Sequence, residues 1–190
     1  MVMYKAKPVS RREINDFVRK LRRRFNMEYV DKIDILRFIE NDIYQLYSDF
    51  KLEIVAVDDM VDPCALAETF PDEHRMIIRE DIYLKAYNGD GFARFTIAHE
   101  LCHLFKHHEK NVSFCRRGTT LKTYEDPEWQ ADAFAGEFLA PGYLIVDKTI
   151  QQIHQDHGVT TSAARVQKEV VRRYPPLKGV INMRVENKMH

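Results

Sequence analysis

FTIAHELCHLFKHH, residues 95–108, is the stretch whose reading decides the fold. Phe95, Ile97, Leu101, Leu104 and Phe105 recur at helical spacing, which predicts a strongly apolar helix over 92–108. Inside it, His99-Glu100-Leu101-Cys102-His103 forms an H-E-x-x-H pattern. Residues four apart on a helix share a face about one turn apart, so both imidazoles can offer a nitrogen to one metal ion. Glu100 lies one position round the helix, where it can reach a water beside the metal instead of the metal itself. That makes Glu100 the general-base candidate of a metal-assisted hydrolysis.

A catalytic zinc takes three protein ligands and keeps one position open, so a third ligand is expected elsewhere. A metzincin set needs glycine at position 106 and histidine at position 109, and Lys106 and Glu109 stand there instead. A gluzincin set draws a glutamate from a later helix, with an acid or amide four residues on. Asp126-Pro127 is an N-cap followed by proline at the first helical position, and it launches a predicted helix that runs to Leu139 and stops at Pro141. Glu128 and Asp132 share one face of that helix. Glu128 is the expected third ligand, and Asp132 the acceptor for the far N–H of a zinc-binding histidine, with His99 the expected partner. Ala131, Ala133, Ala135 and Gly136 would let the two helices approach closely. Glu125 and Glu137 are spare acids, the first preceding the helix and the second lying off the Glu128/Asp132 face. A site shifted to His103 and His107 would lack a glutamate directly after its first histidine. The expected cofactor is one Zn2+ per chain, since this ligand set favours zinc over manganese or iron.

The segments FTIAHELCHLFKHH and EWQADAFAGEFLAP (128–141) together resemble the ImmA/IrrE family of gluzincin metallopeptidases. A looser likeness runs over about residues 11–173. The resemblance implies zinc on His99, His103 and Glu128, with Glu100 as catalytic acid/base. It also implies a protein partner: a helix-turn-helix, DNA-binding repressor that is cleaved, or an antitoxin. Cys102 departs from the family pattern, which most often has glycine there, and reads as a small packing residue or as a redox-sensitive brake. Candidate oxyanion donors within sequence reach are Tyr124, Tyr143, His107 and His108. The two histidines also read as residues that close the helix, where imidazolium suits the C-terminal dipole.

Outward from the motif, the expected fold is α+β: a mostly helical zincin-like domain with a small three-stranded antiparallel sheet packed on the H-E-x-x-H helix. Ser10 with Glu13 is a capping box for a first helix through Phe25, and a second is predicted over 31–48. Leu52 to Val57, Ala65 to Phe70 and Arg75 to Arg79 read as strands, the last being the edge expected to pair with a substrate strand. Residues 109–125 read as a polar loop that could gate the site. Two final helices are predicted over about 143–156 and 160–173, with Gly158 closing the first. A single domain over 1–175 and a C-terminal tail over 176–190 are expected.

The chain has 190 residues, 45% of them apolar, enough for a sizeable core. Its 7 glycines form neither a dinucleotide fingerprint nor a P-loop, which excludes those nucleotide-binding classes. No apolar stretch reaches the length of a membrane span and no secretory signal opens the chain. Three cysteines make no disulfide framework and fit a reducing compartment, so the expected setting is cytoplasmic. The 29 Lys+Arg balance 29 Asp+Glu, but residues 1–25 hold nine bases and two acids while 26–81 hold fifteen acids and five bases. Direct nucleic-acid binding through the basic ends is not expected, because interspersed charges of this kind form solvated helix faces. The alternative function is a zinc-containing docking module that acts as an antirepressor or toxin–antitoxin component without proteolysis.

Overall fold

A computed structural model describes residues 3–115 and 121–176. Its order is β1 (Met3–Ala6), α1 (Arg11–Arg24), α2 (Ile35–Arg37), β2 (Lys51–Val55), β3 (Ala67–Phe70), β4 (Arg75–Arg79), α3 (Glu80–Tyr87), α4 (Gly91–Lys106), β5 (Val112–Cys115), α5 (Pro127–Leu139), α6 (Gly142–Ile145), α7 (Ile150–His157) and α8 (Thr161–Arg173). The architecture is α+β, mostly helical, as the sequence predicts.

The motif helix α4 and the acid-bearing helix α5 pack along each other at the centre. Ala98, Leu101 and Cys102 on α4 and Ala131 and Ala135 on α5 are all buried. Small side chains at such a seam bring two backbones close enough for both helices to reach one point. α1 covers the other side of α5 with Ile14, Val18 and Leu21. Its Ser10 cap is the predicted box: Glu13 N–H donates to Ser10 Oγ, and Ser10 N–H donates to Glu13 Oε2. Buried Arg22 extends from α1 to donate to the Phe138 carbonyl at 2.5 Å and to that of Val30. Those bonds satisfy a carbonyl at the end of α5 that has no partner within its own helix.

The three strands after α2 do form one sheet beside α4, but it is mixed and not antiparallel throughout. Its order is β2-β4-β3: β3 is antiparallel to β4 with Thr69 opposite Met76, and β2 is parallel to β4 with Leu52 opposite Met76. The tight Pro71–His74 turn, with His74 left-handed at φ 45°, makes β3 and β4 a hairpin. The longer connection over 56–66 carries the chain from β2 across to the far side of β4, which leaves β2 parallel to it. Arg75 to Arg79 is therefore the central strand, paired on both sides, and not the free edge that the sequence suggests; β3, which packs against α4, is an outer strand.

The second predicted helix is shorter than its apolar pattern. Ile33, Leu36, Phe38, Ile39 and Ile43 are buried as the spacing implies, yet α2 starts after the Asp34 cap and passes into a π turn over Phe38–Asp42. Asp31, the expected start, is drawn instead to Lys148 at 3.1 Å. Glu80–Tyr87 is a helix that carries no side-chain cap to announce it. The predicted 143–156 helix is broken: α6 ends at Ile145, and Thr149 opens α7 with its own capping box to Gln152. Gly158 closes α7 in the left-handed region at φ 60°, as predicted. Arg94 of α4 donates to the Gly158 and His157 carbonyls and fastens the α7–α8 pair to the motif helix.

Part of the expected loop over 109–125 is regular, because β5 pairs antiparallel with β1 and Tyr4 lies opposite Phe114. The remainder of the gate reading falls partly on 116–120, outside the described residues, as does all but the first residue of the expected tail. No helix among the described residues is long and apolar enough to cross a membrane.

Candidate functional site

His99 and His103 project from the middle of α4 on one face, their Nε2 atoms 3.1 Å apart. Glu128, in the first turn of α5, brings Oε2 to 3.2 Å from His99 Nε2 and Oε1 to 3.7 Å from His103 Nε2. Asp126 places that turn: its carboxylate accepts from the Glu128 N–H, and Pro127 follows as the first helical residue. Asp132, one turn further along α5, has Oδ1 3.0 Å from His99 Nδ1, the ring nitrogen facing away from Glu128. Glu100 completes the group. Ligand atoms of His99, Glu100 and His103 all lie within 4.8 Å of one another.

The electrostatics divide these groups by role. Burial disfavours a charged His99, but its hydrogen bonds to Asp132 and Glu128 outweigh that and hold its pKa up at about 9. His103 is driven the other way, to about 3, by burial and by the neighbouring His107 and His99. It is therefore neutral with a lone pair to offer, whereas His99 gives up a proton from Nε2 when that nitrogen takes an ion, so metal uptake here is coupled to proton release. The hydrogen bond to His99 holds the Glu128 carboxyl below its ordinary range against the opposing effect of burial. Burial pushes Glu100 up to about 7, with Thr69 and His99 pulling against it. A carboxyl titrating near neutrality can both take and return a proton.

A zinc-sized ion fits this donor set. Bonds of about 2.0–2.1 Å at a tetrahedral centre put ligand atoms roughly 3.3 Å apart. The observed separations of 3.1, 3.2 and 3.7 Å bracket that value. Two imidazoles and a carboxylate are a zinc-type set, and Glu100 remains beside them as an acid or base.

The remaining sequence-singled residues are placed differently from one another. His107 lies directly behind His103, Nδ1 to Nδ1 at 2.8 Å. His108 turns to Asp72, 3.3 Å away. Tyr124 stands in a 3-10 turn before α5, half exposed, with its ring near Lys122 Nζ and its carbonyl accepting from Val9 N–H. Tyr143 is not brought to the cluster. Its hydroxyl donates to the Glu28 carbonyl at 2.7 Å beyond the far end of α5, where Arg22 and Glu137 surround it. Of the spare acids, Glu125 pairs with Lys5 at 2.9 Å and Glu137 is buried, accepting from Gly142 N–H. Cys102 is buried in the core and burial pushes its thiol well up, which leaves it the packing role and not that of a reactive thiolate.

Two contributors carried no sequence signal. Thr69 of β3 donates its hydroxyl to the Glu100 carbonyl at 3.2 Å, tying the sheet to the motif. Gln130, between Glu128 and Asp132 on α5, bonds His107 Nε2 through its amide oxygen. A groove of about 720 Å3 opens past His103 and Glu128, walled by Thr69, Phe70 and Pro71 on the sheet side.

The family model Peptidase_M78, described as the IrrE N-terminal-like domain, matches residues 46–175, a span from before β2 to just past α8. No curated protein matches the chain.

Proposed function

This chain belongs to the Peptidase_M78 family of IrrE N-terminal-like domains, and from that premise we propose that it is a zinc-dependent endopeptidase of gluzincin type. The observation that carries the reading is the convergence of His99 Nε2, His103 Nε2 and both Glu128 oxygens on one point, with the Glu100 carboxyl beside them. His99, His103 and Glu128 hold the ion, and Asp132 orients His99 through its Nδ1–H. Zinc, when bound, polarises the scissile carbonyl and lowers the pKa of a water. Glu100 takes a proton from the attacking water and returns it to the leaving amine, a double duty for which a pKa of about 7 suits it. A substrate strand lies in the groove along the outer edge of β3, where backbone pairing gives affinity with little sequence preference.

The proposed substrate is a regulatory protein, a DNA-binding repressor or an antitoxin, and the proposed setting is the cytoplasm. The test is a Glu100→Gln chain, zinc content verified, used to capture partners from the native host, followed by incubation of each partner with the wild-type chain. Cleavage at a discrete bond by wild type, and none by Glu100→Gln, supports the reading and names the substrate. A partner held tightly by the zinc-loaded wild type and never cut overturns hydrolysis of that partner and leaves docking without proteolysis.

A further inference from the structure

His103 has a second ring nitrogen that faces away from the ligand cluster, and its surroundings decide which nitrogen carries the proton. His103 Nδ1 is 2.8 Å from His107 Nδ1, so one of the two must donate and the other accept. The answer is fixed one residue further on. His107 Nε2 lies 3.1 Å from Gln130 Oε1, and Gln130 Nε2 lies 2.9 Å from the Lys7 carbonyl and 2.9 Å from the Tyr124 carbonyl. Backbone carbonyls only accept, so the amide nitrogen must face them and the amide oxygen must face His107. His107 Nε2 is then an N–H, and in a neutral imidazole its Nδ1 is the lone pair. His103 Nδ1 must therefore carry hydrogen and donate, which leaves the His103 Nε2 lone pair pointing at Glu128 and His99.

We propose that His107 and Gln130 are positioning residues: a relay clamped by the Lys7 and Tyr124 carbonyls locks His103 in the tautomer that presents Nε2 to the metal. The proposal rests on the zinc reading above for the identity of the ion, though not for the direction of the hydrogen bonds. It gives His103 a neutral counterpart of what Asp132 does for His99 at 3.0 Å. Groups that bond the far nitrogen of a ligand histidine typically contribute about 10–100-fold in metal affinity.

The test uses the full chain, with zinc affinity read by chelator competition and histidine tautomers read by ¹⁵N NMR on the zinc-free protein. The wild type is expected to show His103 as the Nδ1–H form and His107 as the Nε2–H form. His107→Phe keeps ring volume but removes the acceptor, and is expected to weaken zinc binding by roughly 10–100-fold and to abolish the His103 preference. His107→Gln, whose side-chain oxygen can accept from His103 Nδ1, is expected to recover most of that loss. Gln130→Met, which touches neither ligand, is expected to lose less than His107→Phe. An Nε2–H form of His103 in the wild type overturns the relay, as does unchanged zinc affinity in His107→Phe. Equal losses in His107→Phe and His107→Gln with an unaltered His103 tautomer would show a packing role only and overturn it too. Glu128→Ala separates the two readings: if it binds zinc as tightly as wild type, the ligand assignment fails, while the wild-type tautomers still decide the relay.

Discussion

At the scale of single residues, Glu100 and Asp132 make opposite predictions. Glu100→Gln keeps the shape of the side chain and removes its proton-accepting charge, so peptide cleavage is expected to fall by about 10²–10⁴-fold with zinc retained, as metal analysis beside a cleavage assay would show. Asp132→Asn is expected to act on the metal first, weakening zinc binding by roughly 10–100-fold in a chelator titration, because a neutral amide holds the His99 N–H less firmly. Both residues were legible in the sequence because helical periodicity is local: positions 99 and 103, and 128 and 132, share faces whatever surrounds them. His107 was legible as a helix-closing histidine or an oxyanion donor, not as the partner of His103. Its partner Gln130 comes from a later helix and is itself oriented by the Lys7 carbonyl just past the first strand, and no spacing rule brings those together. The same limit misplaced Tyr143, which is close in sequence to α5 but at the wrong end of it.

At the scale of elements, helix α4 is held at its start and again near its middle, and each hold can be tested. A Cβ on Gly91 would stand 2.7 Å from the backbone of Val159 and Thr160, atoms that cannot swing aside. Gly91→Ala is expected to destabilise the fold by about 1–3 kcal/mol in urea unfolding, by pushing the α7–α8 turn off the start of the motif helix. Thr69→Val removes a single hydroxyl from the Glu100 carbonyl, and about 0.5–1.5 kcal/mol is expected in the same measurement. Strand positions could be read from apolar runs and turn residues, but strand direction could not. The parallel pairing of β2 with β4 depends on which side of the sheet the 56–66 connection lands, a choice made by tertiary packing. Helix α3 and the β1–β5 ribbon escaped notice for a related reason: neither has a local capping or turn signal, and each is stable through what it packs against.

For the molecule as a whole, stability at mild acidity depends on a residue remote from the site. His157 is fully buried, with Nδ1 3.2 Å from the Leu139 carbonyl and Nε2 3.3 Å from Lys148 Nζ, and burial together with the Lys148 charge lowers its pKa to about 4. An unfolded chain binds a proton there near 6.5, so between pH 6.5 and 4 the unfolded state takes up a proton that the folded state refuses. The contribution is fully present above pH 6.5 and is lost as pH falls through about 4, on the order of 3 kcal/mol in all. Denaturant midpoints compared between wild type and His157→Gln across that window are expected to show the wild type losing more on acidification. The fold also bears on where the chain can be cut. The matched region begins at residue 46, yet Arg22 completes the end of α5 and the Lys7 carbonyl orients Gln130 from outside it. A fragment trimmed to residues 46–175 would lose both the acceptor that orients Gln130 and the donor that closes α5, so shortening this protein to the part that resembles others is expected to yield a chain that aggregates or, on the zinc reading, retains zinc poorly.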